Sequence, residues 1–323
     1  MEISLKMNFA IIFPGQGSCN LNNLNIFTYN YPKAKKTFDE ASHYLNYDLW
    51  KLIKKKNIDT NTYHQYMPAI LLTISISIYR LWNKNINIYP NFIAGHSLGE
   101  YTALVCSQCI SFHNALNLVI IRNELMKKSM FGKPGLMAAI IGLDINTIFL
   151  ICKKFSTDGL VTIASINSES EIIITGHKNN VYLASLECKK QGAKAIFTLT
   201  INIASHCSLM QSASIQLSKI LKNTKFNKPK LPIINNVDIQ CEYNSQKIKN
   251  ALIRQLIQPI NWRKSINFII SKNISILLEI GINKILTNLN KSINNVVSIS
   301  LHHPRNFKIA TKTILQESKI FEK

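Results

Sequence analysis

The stretch IAGHSLGEYTALV, residues 93–105, constrains the fold more than any other part of the chain. It puts Gly95, Ser97 and Gly99 at alternate positions, directly after an apolar run and directly before a helix-like run. A G-x-S-x-G sequence between a strand and a helix is typical of a nucleophile elbow, whose tight turn leaves the serine hydroxyl exposed. The next N–H group then lies at a helix N-terminus, where it stabilises an oxyanion. The alternative is a glycine-containing turn with a capping serine, and the flanking pattern favours the nucleophile.

Strands and helices alternate on both sides of this motif, which predicts an α/β fold with a parallel sheet. Between residues 132 and 203 the pattern changes to β-α-β-β-α-β, the order of a ferredoxin-like unit. We therefore predict a discontinuous main domain, residues 1–131 and 204–323, that carries an inserted subdomain over 132–203. The loop after FPGQGS is predicted to reach Pro32, and one helix-like stretch follows from there to Lys56.

A serine nucleophile needs a general base within hydrogen-bond distance. His96 is a poor candidate, because adjacent side chains at a turn diverge, and a packing role is the better interpretation for it. His206, in IASHCSLM, stands where the inserted subdomain returns the chain to the main domain, which is a natural position for a cleft. The acidic residues between Ser97 and His206 fall mostly within the insert and none has an orienting position, so an acid-containing triad is weakly supported. The other distant candidates are His113, His177, His302 and His303.

Composition narrows the class of protein. Hydrophobic residues make up 46% of the 323 residues and charged residues 17%, as in a globular protein. The longest apolar stretch, AILLTISISIYRLW from Ala69, is too short and too polar to span a membrane, and no signal-peptide cleavage site follows the N-terminus. The seven cysteines include one C-x-x-C, Cys106 and Cys109, without a second pair at zinc-site spacing. These features predict reduced thiols, no metal and a cytoplasmic protein.

The formal net charge of +21 has more than one interpretation. A basic chain suits a nucleic-acid partner or an acidic protein partner. The lysines are scattered in doublets and one triplet without a basic and aromatic module, which favours compositional drift over a nucleic-acid surface. An acidic partner fits either interpretation.

Arg122 is a single cation on an otherwise apolar predicted helix, residues 112–128. It is either a surface residue whose stem lies along apolar neighbours or a fork for a carboxylate inside a pocket. The pattern does not separate these two interpretations.

Six motifs taken together resemble a known family. FPGQGS, GHSLGEYTALVC, GLMAAIIGL, SHCSLM, NNVD and RQLIQPINW are similar, in order and register, to the malonyl-CoA:acyl carrier protein transacylases of bacterial fatty acid synthesis. The likeness runs from about residue 8 to residue 289. It implies an α/β-hydrolase-like body with an inserted ferredoxin-like subdomain, in agreement with the pattern above.

The resemblance also implies a role for each site residue. Ser97 would be the acylated nucleophile and His206 the general acid and base, oriented by the backbone carbonyl of Gln255. Arg122 would hold the free carboxylate of the malonyl group. The backbone N–H groups of the oxyanion hole would come from Gln16 and Leu98.

The implied reaction is a ping-pong transfer of malonyl from malonyl-CoA to the phosphopantetheine thiol of acyl carrier protein. It needs no cofactor beyond the CoA thioester substrate. We expect no nucleic-acid or membrane partner, and a monomer. The chain leaves open whether malonyl or methylmalonyl is preferred, because Ala204 and Ser205 do not define the room for an α-methyl group.

Two positions depart from the family's usual pattern. Met67 stands where the family has Gln before a proline, and Asn167-Ser168-Glu169-Ser170 replaces Asn-Ser-Pro-Gly. Neither touches the predicted Ser97–His206 pair, and both bear on rate and acyl selectivity.

Three rival functions remain. A thioesterase would release free acid without a carrier protein, and the predicted Arg122 clamp and the lack of a triad acid argue against it. A non-catalytic carrier-binding protein would not need Ser97, His206, Arg122 and Gln16 together. A nucleic-acid binder would show steeply salt-dependent binding and no acyl-enzyme.

Overall fold

A computed structural model describes residues 8–16, 21–55, 59–86, 88–130, 132–199, 202–293 and 295–320. The larger of its two sheets has five strands, all parallel, in the order β7-β2-β1-β8-β9. This confirms the predicted α/β fold with a parallel sheet. The strands of this sheet are β1 (Phe9–Phe13), β2 (Phe92–Gly95), β7 (Ile233–Ile234), β8 (Ile276–Glu279) and β9 (Val297–Ser300).

Two neighbouring strands of the parallel sheet, β1 and β8, are apolar except for one residue, Glu279 at the end of β8. Every residue of β1, FAIIF, is buried, as is every residue of β8, ILLE. Such continuous apolar runs form where helices cover both faces of a sheet, because neither side of the strand meets water. The hydrophobic core accordingly lies on both faces: Phe9, Ile11 and Phe13 belong to one cluster, and Ala10 and Ile12 to the other.

Helices connect the strands of the parallel sheet. One of them is long: the apolar stretch from about Pro68 to Asn83 predicts a helix, and the observed helix begins earlier, at Thr60. The helices of the main body are α1 (Leu21–Asn30), α2 (Lys35–Leu45), α3 (Leu49–Lys54), α4 (Thr60–Ile86), α5 (Gly99–Cys106), α6 (Phe112–Ser129), α9 (Gln211–Asn223), α10 (Ser245–Gln255), α11 (Trp262–Ile270), α12 (Ile285–Leu289) and α13 (Arg305–Ile320).

The second sheet has four antiparallel strands in the order β4-β5-β3-β6, and its elements follow the predicted order strand, helix, strand, strand, helix, strand. Its core is separate from the two clusters of the parallel sheet and includes Ile140, Ile174 and Val181. The Ile260 backbone bonds to Ala164 and Ile166 at 2.9 Å each, which joins this unit to the main body. The elements are β3 (Gly135–Ile141), α7 (Ile145–Lys154), β4 (Val161–Ile166), β5 (Glu171–His177), α8 (Lys178–Lys190) and β6 (Ala195–Thr198).

The predicted elements differ from the observed ones in three further places. The predicted loop before Pro32 contains α1, and the predicted helix from Pro32 to Lys56 is divided. Asn46 ends α2 in the left-handed region at φ 49°, and the Asp48 side chain begins α3 by accepting from Lys51 N. Asn tolerates this conformation and Asp is a favoured N-cap, so the break is local chemistry. After His206 the pattern predicts helix, strand, helix, strand and helix. The structure has two helices in place of each of the last two helices, with β9 between the final pair.

Candidate active site

The turn that carries Ser97 is a close-packed elbow between β2 and α5. Ser97 has φ 50°, in the left-handed region that non-glycine residues rarely adopt. A Cβ atom at Gly95 would lie 1.9 Å from the carbonyl carbon of Gly99, and one at Gly99 would lie 2.3 Å from the carbonyl oxygen of Phe13. Both glycines are therefore required by backbone contact, which explains the G-x-S-x-G spacing.

Ser97 and His206 are hydrogen-bonded although 109 positions separate them. Ser97 Oγ lies 2.9 Å from His206 Nε2, and His206 Nδ1 lies 2.7 Å from the backbone carbonyl oxygen of Gln255. Since a carbonyl only accepts, Nδ1 carries the proton and Nε2 is left to accept from the serine hydroxyl. The three predicted residues form one chain of hydrogen bonds.

The surroundings of His206 favour its neutral form. The side chain is 5% exposed, and burial lowers its pKa to about 3. The positive charge of Arg122 contributes to this lowering of the pKa, while the hydrogen bond to Gln255 opposes it. At neutral pH the imidazole is thus unprotonated, which is the state a general base needs.

Arg122 reaches the nucleophile from α6 as a buried cation. Its Nη2 atom lies 3.3 Å from Ser97 Oγ and 3.2 Å from Gln255 Oε1, and its Cζ atom lies 5.8 Å from the centre of the Tyr101 ring. Among the described residues its Nε atom has no hydrogen-bond partner. Burial lowers the pKa of this guanidinium, and Tyr101 and Glu100 oppose that. A desolvated cation with an unused donor suits an anionic ligand, so the pocket interpretation of Arg122 is the one that fits.

Gln16 and Leu98 lie beside the Ser97–His206 pair. Both line a cavity of about 180 Å³ that is also lined by Ser97, Arg122 and His206. Leu98 immediately precedes α5, and the first N–H groups of a helix have no acceptor within it. Gln16 follows β1 at the same edge of the sheet. Residues from α12 and from the smaller sheet complete the cavity, among them Met137, Ala139, Ile285 and Leu289.

His96 bonds to the smaller sheet. Its Nε2 atom lies 2.9 Å from Asn167 Oδ1 and 3.3 Å from Ser165 Oγ, and its ring lies 5.5 Å from the Trp262 ring. Asn167 in turn donates to Glu171 Oε1 at 2.7 Å. These contacts fit the predicted packing role and connect the elbow to the second sheet.

The two positions that depart from the family pattern, Met67 and the loop 167–170, differ in how they relate to the cavity beside Ser97 and His206. Met67 is 2% exposed and packs within the core of the main body. In the loop 167–170, Glu169 pairs with Arg263 at 2.5 Å, at the surface. Asn167 alone of these residues both lines the cavity and bonds to His96.

Two polar residues of the site were missed by the sequence reasoning. Asn236 accepts from Ser97 N at 2.7 Å and donates to the Gly95 carbonyl oxygen at 2.6 Å. The Glu100 carboxylate accepts from Gln255 Nε2 at 2.8 Å and from Asn236 N at 3.2 Å. Two sequence features could have identified them. Glu100 is an acidic residue in the first helical turn after the elbow, and Asn236 belongs to the NNVD motif.

The structure also gives the Gln255 side chain contacts that the sequence did not predict. Its Nε2 atom donates to the Ser97 carbonyl oxygen at 3.2 Å as well as to Glu100, while its Oε1 atom accepts from Arg122. Gln255 thus bonds to Ser97, Arg122 and His206, the last through its backbone.

Within the described part of the chain no three His, Cys, Asp or Glu side chains are grouped so that they could hold a metal ion. Cys106 and Cys109 are free and buried, and burial raises the pKa of both thiols. Cys19 lies outside the described residues. The described helices include none long and apolar enough to cross a membrane.

Comparison with known proteins agrees with this geometry. The acyl transferase domain family matches residues 27–288. The malonyl CoA-acyl carrier protein transacylase of Buchnera aphidicola subsp. Schizaphis graminum is 46% identical, over 95% of this chain and 99% of the relative. The protein of the same name from Escherichia coli K12 is 40% identical, over 90% of this chain and 94% of the relative.

Solved structures resemble this fold over nearly its whole length. A malonyl-transacylase in complex with a type II PKS acyl-carrier protein superimposes with a TM-score of 0.90 at 36% identity, over 95% of this chain and 99% of that one. The malonyl CoA-acyl carrier protein transacylase of Coxiella burnetii superimposes with a TM-score of 0.91 at 33% identity, over 97% and 99%. The chain belongs to the acyl transferase domain family and, within it, to the malonyl CoA-acyl carrier protein transacylases.

Proposed function

We propose that this protein transfers the malonyl group of malonyl-CoA to the phosphopantetheine thiol of acyl carrier protein and so supplies malonyl-carrier protein for fatty acid synthesis. The observation that carries the proposal is the chain from Ser97 Oγ to His206 Nε2 and from His206 Nδ1 to the Gln255 carbonyl, with the buried Arg122 beside it. Family membership gives independent support.

The first half of the reaction acylates Ser97. His206 Nε2 takes the hydroxyl proton as Ser97 Oγ attacks the thioester carbon of malonyl-CoA. The C–S bond then breaks, and CoA leaves as a thiol with the proton that His206 returns. The left-handed backbone of Ser97 supports this step, because the strained turn presents the hydroxyl to the cavity.

The negative charge of the tetrahedral intermediate falls on the former thioester oxygen. We assign its stabilisation to the backbone N–H groups of Gln16 and Leu98, two residues that line the cavity beside Ser97. One such donor contributes on the order of 3 kcal/mol to the transition state.

Arg122 is assigned the free carboxylate of the malonyl group. A guanidinium binds a carboxylate through two parallel N–H···O bonds, and burial strengthens the pair. An acetyl group would leave the cation without this partner, so the clamp favours malonyl over acetyl.

The second half of the reaction repeats the first in reverse. The carrier-protein thiol gives its proton to His206 and attacks the malonyl-serine ester, and Ser97 recovers its proton when the ester bond breaks. This ping-pong sequence uses only groups of the protein and its two substrates, and we propose no metal or redox cofactor. The net charge of +21 suits an acidic carrier protein.

The proposal includes a domain organisation. We describe residues 1–131 and 204–323 as an α/β-hydrolase-like catalytic domain and residues 132–203 as a ferredoxin-like insert. The strand order β4-β5-β3-β6, with α7 and α8 as crossovers, supports the second description. We also propose a monomer, and a cytoplasmic location, which fits the free cysteines among the described residues.

Intact-mass spectrometry tests the reaction directly. Mixing the protein with malonyl-CoA is expected to add one malonyl group, and holo carrier protein is expected to remove it with formation of malonyl-carrier protein. Ser97→Ala is the matched control and must give no adduct. An adduct that water removes as fast without carrier protein would identify a thioesterase, and a folded protein that forms no adduct with any acyl-CoA would overturn the mechanism.

A further inference from the structure

Glu100 is a buried carboxyl group for which the transfer steps above have no use. It lies in the first turn of α5, three positions after the nucleophile, and is 2% exposed. An acidic side chain in the first turn of a helix is ordinarily a surface residue that the helix dipole favours. Burial removes that explanation, because an ionised carboxylate in the interior is costly unless neighbouring groups compensate it.

The neighbours of Glu100 are the residues that hold the reacting groups. Glu100 Oε2 accepts from Gln255 Nε2 at 2.8 Å, and the same Gln255 accepts from Arg122 through Oε1 and from His206 through its backbone oxygen. An amide whose two ends are both bonded cannot rotate without losing a bond. Glu100 therefore fixes the Gln255 side chain, which bonds both to Arg122 and to the Ser97 carbonyl oxygen.

Glu100 also fixes the other side of the elbow. Its Oε2 atom accepts from the backbone N–H of Asn236 at 3.2 Å, and the Asn236 side chain accepts from Ser97 N at 2.7 Å. Ser97 itself is held at φ 50°. Such a strained residue persists only where the surrounding structure over-determines it, and the bonds through Asn236 do this.

We propose that Glu100 is a positioning residue of this site, which holds Gln255 and Asn236 in place and takes up a proton from solvent when the malonyl carboxylate pairs with Arg122. The inference rests on the proposed function, since it assigns that carboxylate to Arg122.

The charges that face Glu100 set the direction of this effect. Burial raises the pKa of Glu100 to about 7, while Gln255, Asn236 and the Arg122 cation on α6 lower it. Asp238, after β7, raises it by repulsion and is itself paired with Arg254 at 2.6 Å. Tyr101, on the same helix as Glu100, has a pKa raised to about 12 and is neutral at pH 7.5.

A second carboxylate on Arg122 cancels the attraction that keeps Glu100 partly ionised. Its pKa then rises, and a rise of about one unit corresponds to uptake of roughly half a proton at pH 7.5. His206 does not contribute at this pH, because its pKa of about 3 lies too far below. Acetyl-CoA brings no carboxylate and is expected to cause no uptake.

Titration calorimetry in buffers of different ionisation enthalpy counts these protons. The Ser97→Ala enzyme is used so that malonyl-CoA binds without transfer. We expect roughly half a proton taken up at pH 7.5, none with acetyl-CoA, and none when Glu100→Gln is added to Ser97→Ala.

Glu279→Gln is the matched control. Glu279 is a fully buried carboxyl on β8 whose pKa burial also raises to about 7, but its hydrogen bonds run to Leu286 and Thr287. Uptake must persist in the Ser97→Ala/Glu279→Gln enzyme. Equal uptake with and without Glu100 would overturn the proposal.

Kinetic measurements distinguish a positioning role of Glu100 from a role in folding alone. Glu100→Gln keeps an oxygen acceptor and is expected to stay within a few-fold of wild type in acylation by acetyl-CoA. Glu100→Ala is expected to lose about 100-fold in the acylation rate, because misplacement of a catalytic group by about 1 Å has that effect. Equal rates for folded Ala and Gln variants would contradict positioning.

Failure of the proposed function is recognised separately. If the wild-type enzyme forms no malonyl adduct, both the proposed function and this inference are contradicted. If the enzyme forms the adduct but takes up the same number of protons with and without Glu100, only the inference about Glu100 is contradicted.

Discussion

Arg122 Nη2 lies 3.3 Å from Ser97 Oγ, so a buried cation and the nucleophile are in direct contact. The same cation lowers the pKa of His206, whose Nε2 atom lies 2.9 Å from that hydroxyl. In the proposed function, this one residue bears on both substrate selection and proton transfer. The two effects are separable, because the first needs a malonyl carboxylate and the second does not.

Replacement of Arg122 is expected to abolish the preference for malonyl. In Arg122→Ala the malonyl carboxylate would be buried without a partner, which costs about 2–5 kcal/mol and lowers malonyl acylation by roughly 30-fold to several thousand-fold. Acetyl acylation should change far less. Acyl-enzyme formation from each CoA ester, followed by quenched-flow mass spectrometry, measures the ratio. Arg122→Lys is the control that keeps the charge and loses the fork, and an unchanged ratio in both variants would exclude the clamp.

The pH profile of acylation is expected to show how Arg122 lowers the pKa of His206. His206 must be neutral to accept a proton, so the rate falls as pH falls through its pKa. Because that pKa is lowered to about 3, wild-type acylation by acetyl-CoA should stay flat through the ordinary histidine range near 6.5. In Arg122→Ala the repelling charge is gone, so the pKa rises and the acid limb moves to higher pH. Profiles of kcat/KM for acetyl-CoA test this, and a limb that moves to lower pH would contradict it.

Glu279 is expected to make the protein less stable as pH rises. Its pKa is about 7 in the folded protein and near 4.5 unfolded, so its favourable contribution is full below pH 4.5 and is lost as pH rises through 7. The shift corresponds to at most about 3 kcal/mol. In Glu279→Gln the fall in unfolding free energy between pH 5 and pH 8 should be smaller by up to that amount. Urea denaturation at both pH values measures it.

His206 acts on stability in the opposite direction. Its folded pKa lies below its ordinary value, so its contribution is full above pH 6.5 and is lost as pH falls. The comparison of Glu279→Gln with wild type cancels this effect, since both proteins keep His206. Equal slopes for the two proteins would show that Glu279 does not titrate in this interval.

Most of the fold followed from local patterns in the chain. Apolar strands before helices predicted the parallel sheet, and the glycines around Ser97 predicted the elbow because backbone contact leaves no room for a side chain there. α1 was missed although it is helical, since LNNLNIFTYN is rich in Asn and has a weak apolar stripe. β9, with four residues, is too short for its alternation to be recognised.

A site residue could be predicted from the sequence where its local motif is typical of one role. Ser97 came from the local pattern alone. The end of the inserted subdomain made His206 a candidate, and the resemblance selected it from the other histidines. Arg122 needed the resemblance, because nothing local separates it from a surface arginine. Glu100 and Asn236 were missed for a physical reason. Their roles depend on burial and on partners more than 130 positions away, and neither is visible in the residues around them.

Asn236 is expected to be needed for the shape of the elbow. In Asn236→Ala the Ser97 N–H and the Gly95 carbonyl lose their partners, and each unsatisfied buried group costs about 1–3 kcal/mol. We expect a lower unfolding free energy together with slower acylation, since the released turn no longer holds Ser97 against His206. Asn250→Ala is the control: Asn250 is exposed on α10, where it pairs with Gln246, and its loss should stay within about 0.5 kcal/mol. If Asn236→Ala lost stability but kept the wild-type acylation rate, the bond to Ser97 would serve folding alone.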